Sequence, residues 1–415
     1  MKIRIDFSAI LASIIVLYCN GGMLGFFKGS SLVTVLIYGA LALWFALVLI
    51  RERAFMTKYV SICFAVLTFF VFLNLFMFIL NPSTMGAMSR MRKNIMFLLM
   101  FVAIFIYYSA PKRQVGRKMI LYTWIIDTVL TSIYTIYRLI EMPTLSRILA
   151  TENPESHLGS GSSLAGIFGF GSIYGLLFVV TAITGLIPKV KPVYKIVMIC
   201  CAVLFVYTVI QAQFFIASVL CAIGIILGML LSGKTTLRKT IIYLTFLPVG
   251  VLILYIAVKE ILPSLAYSNA LPQFISDRLI LFLNGISMEE LLGTSRGVVY
   301  LKSFSAIAQS YGIGIMFMKN TSTGGHSEIL DLIAIYGAPL AALLIYGIWQ
   351  IKKFISRFVP EELTYNYNIV WILFLLMGIF NTALWCQTTV SVFLIIPLAY
   401  MEFYSKKATG SYIEE

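Results

Sequence analysis

The chain has 415 residues, 60% of them hydrophobic and only 12% charged, with a formal net charge of +14 and a mean hydropathy of +0.96. Soluble proteins carry about 25% charged residues, so this composition excludes a globular cytosolic enzyme and a disordered scaffold. Continuous apolar runs of about 20 residues cross a hydrocarbon core as helices, whereas barrel strands need alternation. The runs here are continuous, which predicts an all-α polytopic membrane protein.

Taken in chain order, the runs between charge clusters predict twelve spans: 7–27, 32–50, 59–80, 94–110, 119–140, 164–187, 196–213, 215–232, 240–258, 329–349, 368–386 and 388–404. Lys2 and Arg4 precede the first run as in a signal peptide, but no small-x-small cleavage site follows, so this run is expected to stay as an anchor. With the N-terminus placed in the cytoplasm, 20 of the 31 Lys and Arg residues fall on the inner side, against seven of the 17 acids. The positive-inside trend therefore puts both termini in the cytoplasm and makes the net charge a topology signal, not a nucleic-acid footprint. The expected organisation is 1–258 with spans one to nine, 259–328 as a large outer loop, 329–404 with the last three spans, and 405–415 as a cytoplasmic tail.

Two outer connections are long, 141–163 and 259–328, and long loops on a rigid scaffold are where chemistry concentrates. In the larger one, Ser287-Met288-Glu289-Glu290 has capping-box spacing, and Gly297 to Ser310 runs at roughly helical period, so short surface helices are expected. The six cysteines form no CxxC pair and read as packing residues. His157 and His326 lie far apart, no cluster has zinc-ligand spacing, and no cofactor or metal is expected. Gly228 to Thr235 matches the P-loop pattern letter for letter, but its first glycine sits inside an apolar span with no strand before it, so the match reads as coincidence. Asn320-Thr321-Ser322 is likewise a sequon by pattern only. The glycines at 166, 169, 171 and 175 read as a close-packing helix face.

The sharpest pattern runs from Thr294-Ser295-Arg296, opening a helix, through Tyr311-Gly312-Ile313-Gly314, to Gly325-His326-Ser327-Glu328-Ile329-Leu330-Asp331-Leu332 and then Tyr336-Gly337 in span ten. This order resembles the large-loop signature of the bacterial O-antigen polymerase and ligase family, which includes capsule repeat-unit polymerases. The hydropathy plan, with its large outer loop in the last third, is similar over nearly the whole chain. The resemblance implies a glycosyltransferase C architecture in the bacterial plasma membrane. It also implies a polymerase that transfers a growing glycan from polyprenyl diphosphate to the next lipid-linked repeat unit at the outer face, with inversion. Its partners would be an undecaprenyl-diphosphate-linked oligosaccharide, membrane lipids, a chain-length regulator and a flippase, with no nucleic acid. Two features depart from the family: Gln211-Ala212-Gln213-Phe214-Phe215 carries no cation between spans seven and eight, and Gly159-Ser160-Gly161-Ser162-Ser163 replaces an Asn-Pro-Asn-like segment.

The chemistry gives these residues work of their own. Arg stays charged and grips phosphate oxygens bidentately, and a helix N-terminus adds donors and positive dipole, so Arg296 suits a departing diphosphate. His326 can take a proton near neutral pH, with Glu328 and Asp331 within a turn of it; any of the three can be the base, and both acids can equally serve as caps of span ten. Arg90, Arg92 and Lys93 fall in an outer loop against the charge trend, where they can hold substrate phosphate or meet headgroups. Asp127, the acid deep in a span, reads either as the partner of a neighbouring Tyr or Ser or as part of a substrate cavity. Arg278 and Lys302 are further candidates for anionic contact. Alternatives are an O-antigen ligase, differing only in acceptor, and, from another class, a lipid-linked oligosaccharide flippase or transporter. A carrier usually shows internal repeats and a midplane site, and has no need of the 259–328 loop.

Overall fold

The computed structural model describes residues 6–22, 31–52, 61, 65, 68–69, 72–73, 85–149, 166–230, 263–264, 267, 272–283, 294–315, 318 and 323–404. Among them there is helix and no strand. The helices are α1 (Phe7–Asn20), α2 (Ser31–Arg51), α3 (Met85–Ser109), α4 (Gln114–Glu141), α5 (Phe170–Leu186), α6 (Pro192–Gln211), α7 (Phe215–Leu230), α8 (Gln273–Leu283), α9 (Thr294–Gln309), α10 (Glu328–Ile355), α11 (Thr364–Phe380) and α12 (Cys386–Phe403). Six helical stretches, coinciding with or containing α4, α5, α6, α10, α11 and α12, are long and apolar enough to cross a membrane. The expected spans at 59–80 and 240–258 lie largely or wholly outside the described residues.

Helix α5 sits at the centre. It packs against α6, α7, α11 and α12, and nearly all its residues are buried. Close approach depends on glycines facing hydroxyls and amides. A Cβ at Gly224 or Gly228 of α7 would run into Thr181 or Thr184 of α5, and one at Gly185 into Asn366 of α11. Gly171 and Gly175 face Gln387 and Ser391 of α12, whereas Gly166 and Gly169, expected on the same helix face, precede α5. Gly228, the first glycine of the P-loop match, is thus helical and pressed against a neighbouring helix. Helix α6, in contrast, turns Val193, Ile196, Val197, Ile199 and Val203 outward, the surface of a helix bathed in lipid.

Apart from the within-helix pair Arg138–Glu141, the ion pairs among the described residues mark one end of the bundle. Arg51 and Arg113 meet Asp6, Lys112 and Arg113 meet Glu52, and Arg117 and Lys118 meet Glu402. Lys189 pairs with Glu362, which also engages Tyr404 beside that end. Each of these charges belongs to the side that the loop-charge count groups together. The pairing therefore gathers the start of α1, the end of α2, the start of α4 and the ends of α5 and α12 on one face.

Several boundaries differ from expectation: α1 ends at Asn20 and not at 27, α5 starts at Phe170 and not at 164, α10 runs on to Ile355, and two further differences move charged or polar residues. Helix α3 begins at Met85, so Arg90, Arg92 and Lys93 stand on its first turns and not in a loop. Met, Ala, Arg and Lys are good helix formers and extend the apolar run backwards. The apolar stretch 368–404 is broken at 381–385, where α11 ends on Asn381, in extended geometry, and α12 starts at Cys386. Within α12, Ser391–Ile395 widens to a π turn, and Tyr367 donates to the Val392 carbonyl there, 3.3 Å away.

Candidate functional site

At the end opposite the ion pairs, α9, α10 and the 381–385 loop converge. Helices α9 and α10 pack side by side and run in the same direction: Ser303 meets Asp331, and nine residues further Gly312 meets Ala338. Helix α10 starts on Ser327, whose hydroxyl caps the Leu330 amide at 3.3 Å, as expected for an N-cap serine.

The turn that carries His326 is held from both sides. Asp331 Oδ1 accepts from Ser303 Oγ at 2.7 Å and from the Gly325 amide at 3.3 Å, while Ser303 Oγ accepts from the Gly324 amide at 2.9 Å. Ser303 and Asp331 are both buried. Gly324 lies so close to the Val299 carbonyl of α9 that no Cβ fits, and Gly325 adopts φ +77°, a left-handed geometry that glycine reaches without steric cost. His326 itself is exposed. Position 296 shares the helical face of Val299 and Ser303, so the start of α9 and the His326 turn are set in register by one packed seam.

Glu328 is buried, and its Oε2 accepts the Leu384 amide at 3.2 Å. Its own amide donates to the Asn381 carbonyl at 3.2 Å, and Ser327 Oγ donates to the Gly378 carbonyl at 3.4 Å. Tyr300 of α9 donates to the Phe380 carbonyl at 2.8 Å. These bonds fasten the 381–385 loop to the start of α10. The buried Asn381 Nδ2 and Trp385 Nε1 of that loop have no hydrogen-bond partner among the described residues.

Lower down, the turn after α9 plugs a break in α10. Gly337 takes φ 79° and ψ 161°, which interrupts the helix, and Ala338 donates instead to the Gly312 carbonyl at 2.9 Å. Pro339 follows and has no amide to lose. Gly314, at φ +105°, and Gly337 approach so closely that a Cβ on either would collide with backbone of the other segment. The Gly312-Ile313-Gly314 turn and Gly337, distant in sequence, thus form one contact.

The expected site residues therefore divide. His326, Glu328 and Asp331 come together at the start of α10, beside α9, whose first turn holds Arg296. Lys302 is exposed on α9, Lys93 is exposed on α3, and Arg278 stands on α8. The side chains of Arg296, Arg278, Arg90 and Arg92, together with His157, the 287–290 capping box and the 320–322 sequon, lie outside the described part. Asp127 sits elsewhere, in a buried polar cluster between α1 and α4. Its Oδ2 accepts from Asn20 Nδ2 at 2.7 Å, Trp124 donates to Asn20 Oδ1 at 3.1 Å, and Gly22 presses on the carboxylate. One partner of Asp127 is thus an asparagine, a residue type that neither the Tyr or Ser reading nor the substrate-cavity reading named. The 381–387 segment links the two places, since Cys386 Sγ contacts the Cys19 carbonyl while Leu384 holds Glu328.

Sequence reasoning missed Ser303, Tyr300, Asn381 and Asn20. Of these, Asn381 and Asn20 leave a trace in the sequence, each as a polar residue inside an apolar run. Among the described residues no group of three or more His, Cys, Asp or Glu side chains is arranged to hold a metal ion.

The fold and the site define a helical membrane protein with a hydrogen-bonded, glycine-packed junction of turns at one end of its bundle. Comparison with protein-family models, with curated proteins and with solved structures finds no match to this chain.

Proposed function

We propose that the chain is a membrane glycosyltransferase that polymerises polyprenyl-diphosphate-linked oligosaccharide repeat units of an O-antigen or capsule. The observation that carries this reading is the clamped turn: the Gly324–His326 segment is fixed between α9, which carries Arg296 in its first turn, and the start of α10. A cation and a proton acceptor on one rigid seam suit a reaction with an anionic leaving group and a hydroxyl nucleophile.

In the proposed reaction the acceptor hydroxyl attacks the anomeric carbon of the donor glycan. The new C–O bond forms as the bond to the diphosphate breaks, with inversion. His326 takes the hydroxyl proton, and polyprenyl diphosphate leaves as an anion stabilised by Arg296 and the α9 N-terminus. Glu328 contributes through the bond to Leu384, which fixes the loop facing His326; Asp331 contributes by holding the turn itself. Arg90, Arg92, Lys93, Arg278 and Lys302 are candidates for the second phosphate, and Asp127 for a more distant part of the substrate path. The proposed setting is the bacterial plasma membrane, with the ion-paired end in the cytoplasm.

The test is an assay of purified protein in lipid, supplied with polyprenyl-diphosphate-linked repeat units and no nucleotide sugar. A glycan ladder is expected from the wild type and none from Arg296→Ala or His326→Ala that still fold. Single transfer to a lipid A core without a ladder would make the protein a ligase. Movement of substrate across the bilayer without transfer would make it a transporter.

A further inference from the structure

Helix α9 is inside out for a helix in water. Its buried positions are small or polar, Ser303, Ala306 and then Ser310, whereas Val298, Leu301 and Phe304 are 66%, 65% and 53% exposed. The turn that follows adds Tyr311 and Ile313, also largely exposed. Between residues 297 and 313 the sequence has a single charge, Lys302. A surface helix in water buries its apolar stripe and exposes polar groups. Here Ser303 is spent on Asp331 and the His326 turn, and Val298, Leu301 and Phe304 point away from the protein, with Ser305 and Gln309 bonded to each other on the exposed side.

Depth along α10 says what lies against that face. Lys352 and Lys353 mark the end of α10 near the ion-paired face. Gly337 is fifteen residues above Lys352, roughly 22 Å at 1.5 Å per residue. A hydrocarbon core is about 30 Å thick, so the break in α10 falls within it. The Gly312–Gly314 turn is bonded to that break, so it lies at the same depth. Irregular backbone is tolerated there only where protein satisfies it, and the Ala338 amide does so for Gly312. The apolar surface continues onto Leu343 and Tyr346 of α10, which also face outward.

We infer that α9 is a re-entrant helix: it descends into the bilayer beside α10 and ends in the Gly312–Gly314 turn against the break in α10, with Val298, Leu301 and Phe304 against lipid acyl chains. Lys302, on the upper part of the helix, is placed to reach headgroup phosphates. The segment expected from the sequence to be a water-exposed head is then a lipid-facing wall. The His326 turn opens at the membrane boundary, where a lipid-linked molecule is already confined. The inference stands on exposure and depth and does not need the polymerase reading.

The test uses the full-length protein in phospholipid nanodiscs, with a benzophenone amino acid placed singly at Val298, Leu301 or Phe304. Ile196 on α6, outward-facing at 69% exposure, is the lipid reference, and Lys112, with a side chain 66% exposed among charges, is the water reference. After irradiation, phospholipid adducts at two or more of the α9 positions should match those at Ile196 and exceed those at Lys112 by about tenfold, given acyl chains packed on that face. Adducts to a second copy of the chain would make this face a protomer interface and overturn the inference. Lipid adducts no more abundant than at Lys112 would return α9 to water and overturn it equally. Three independent positions keep the result readable if one variant does not fold.

Discussion

Asp331 holds the turn before His326 through one oxygen. Its Oδ1 takes both the Ser303 hydroxyl and the Gly325 amide, in a buried setting where an unmet donor costs about 1–3 kcal/mol. Asp331→Ala is therefore expected to lower stability by about that amount, and Asp331→Asn, which keeps an acceptor oxygen, by less. Chemical denaturation of the purified protein followed by tryptophan fluorescence reads the difference; an alanine variant as stable as wild type would show that the clamp contributes nothing. The residue identities at this site were legible in the sequence, since Glu328 and Asp331 are the acids nearest His326. Their partners were not. Asp331 meets a serine 28 positions away and Glu328 an amide 56 positions away, and local spacing carries no information about contacts made only when helices pack. The capping reading placed both acids at the start of α10 correctly, yet Ser327 makes the cap and the acids bind neighbouring segments instead.

At the scale of elements, two glycines separate geometry from space. Gly325 and Gly337 both have positive φ, +77° and +79°, but a Cβ at 325 would meet nothing, whereas one at 337 would strike the Ile313 carbonyl. The ψ of 161° at Gly337 also lies in a region that is essentially glycine-only, at a cost of about 1–3 kcal/mol for other residues. Gly325→Ala should cost about 1–2 kcal/mol, the left-handed penalty alone, and Gly337→Ala should cost clearly more. Thermal midpoints of the two variants under one condition compare them directly; equal midpoints would mean that the turn after α9 moves aside freely. The helices themselves were readable because bilayer helices are uninterrupted apolar runs, and most described helices overlap an expected span. What hid was the place of a break that leaves the run apolar. The break expected at 387 lies at 381–385, because Ala383, Leu384 and Trp385 keep the run apolar after α11 has ended, and the interruption in α10 is made by backbone geometry at a glycine that any span accepts.

The whole molecule is fastened at its ion-paired end, and two of those pairs differ in kind. Arg117 and Glu402 are almost fully buried, with side chains 8% and 5% exposed, and join the start of α4 to the end of α12 at 3.0 Å. Removing one partner of a buried pair strands the other charge, at about 3–5 kcal/mol, whereas replacing both with apolar groups of similar size is often neutral. Glu402→Leu should accordingly be strongly destabilising, and Arg117→Met with Glu402→Leu should recover most of the loss, less the bond from Arg117 to the Tyr108 carbonyl. A double variant no better than the single would mean that the pair itself, and not the stranded charge, holds the ends together.

Glu52 is the milder case. Its bond to Lys112, with Arg113 adding to it, holds the carboxyl below its usual 4.5 against the opposing effect of burial. A carboxylate depressed on folding stabilises fully above the unfolded value and loses that contribution as pH falls through the folded one. Stability should thus be flat with respect to Glu52 above about pH 5 and decline below about pH 4.5. Glu52→Gln should sit slightly below wild type at neutral pH, by less than about 1 kcal/mol for a partly exposed pair, and approach it in acid. Melting curves of both proteins between neutral pH and pH 3.5 would show the two converge. Curves that stay parallel throughout would take Glu52 out of the acid response and leave it to the other carboxylates of that end, Asp6 and Glu402, which bind α1 and α12 to the same cluster of cations.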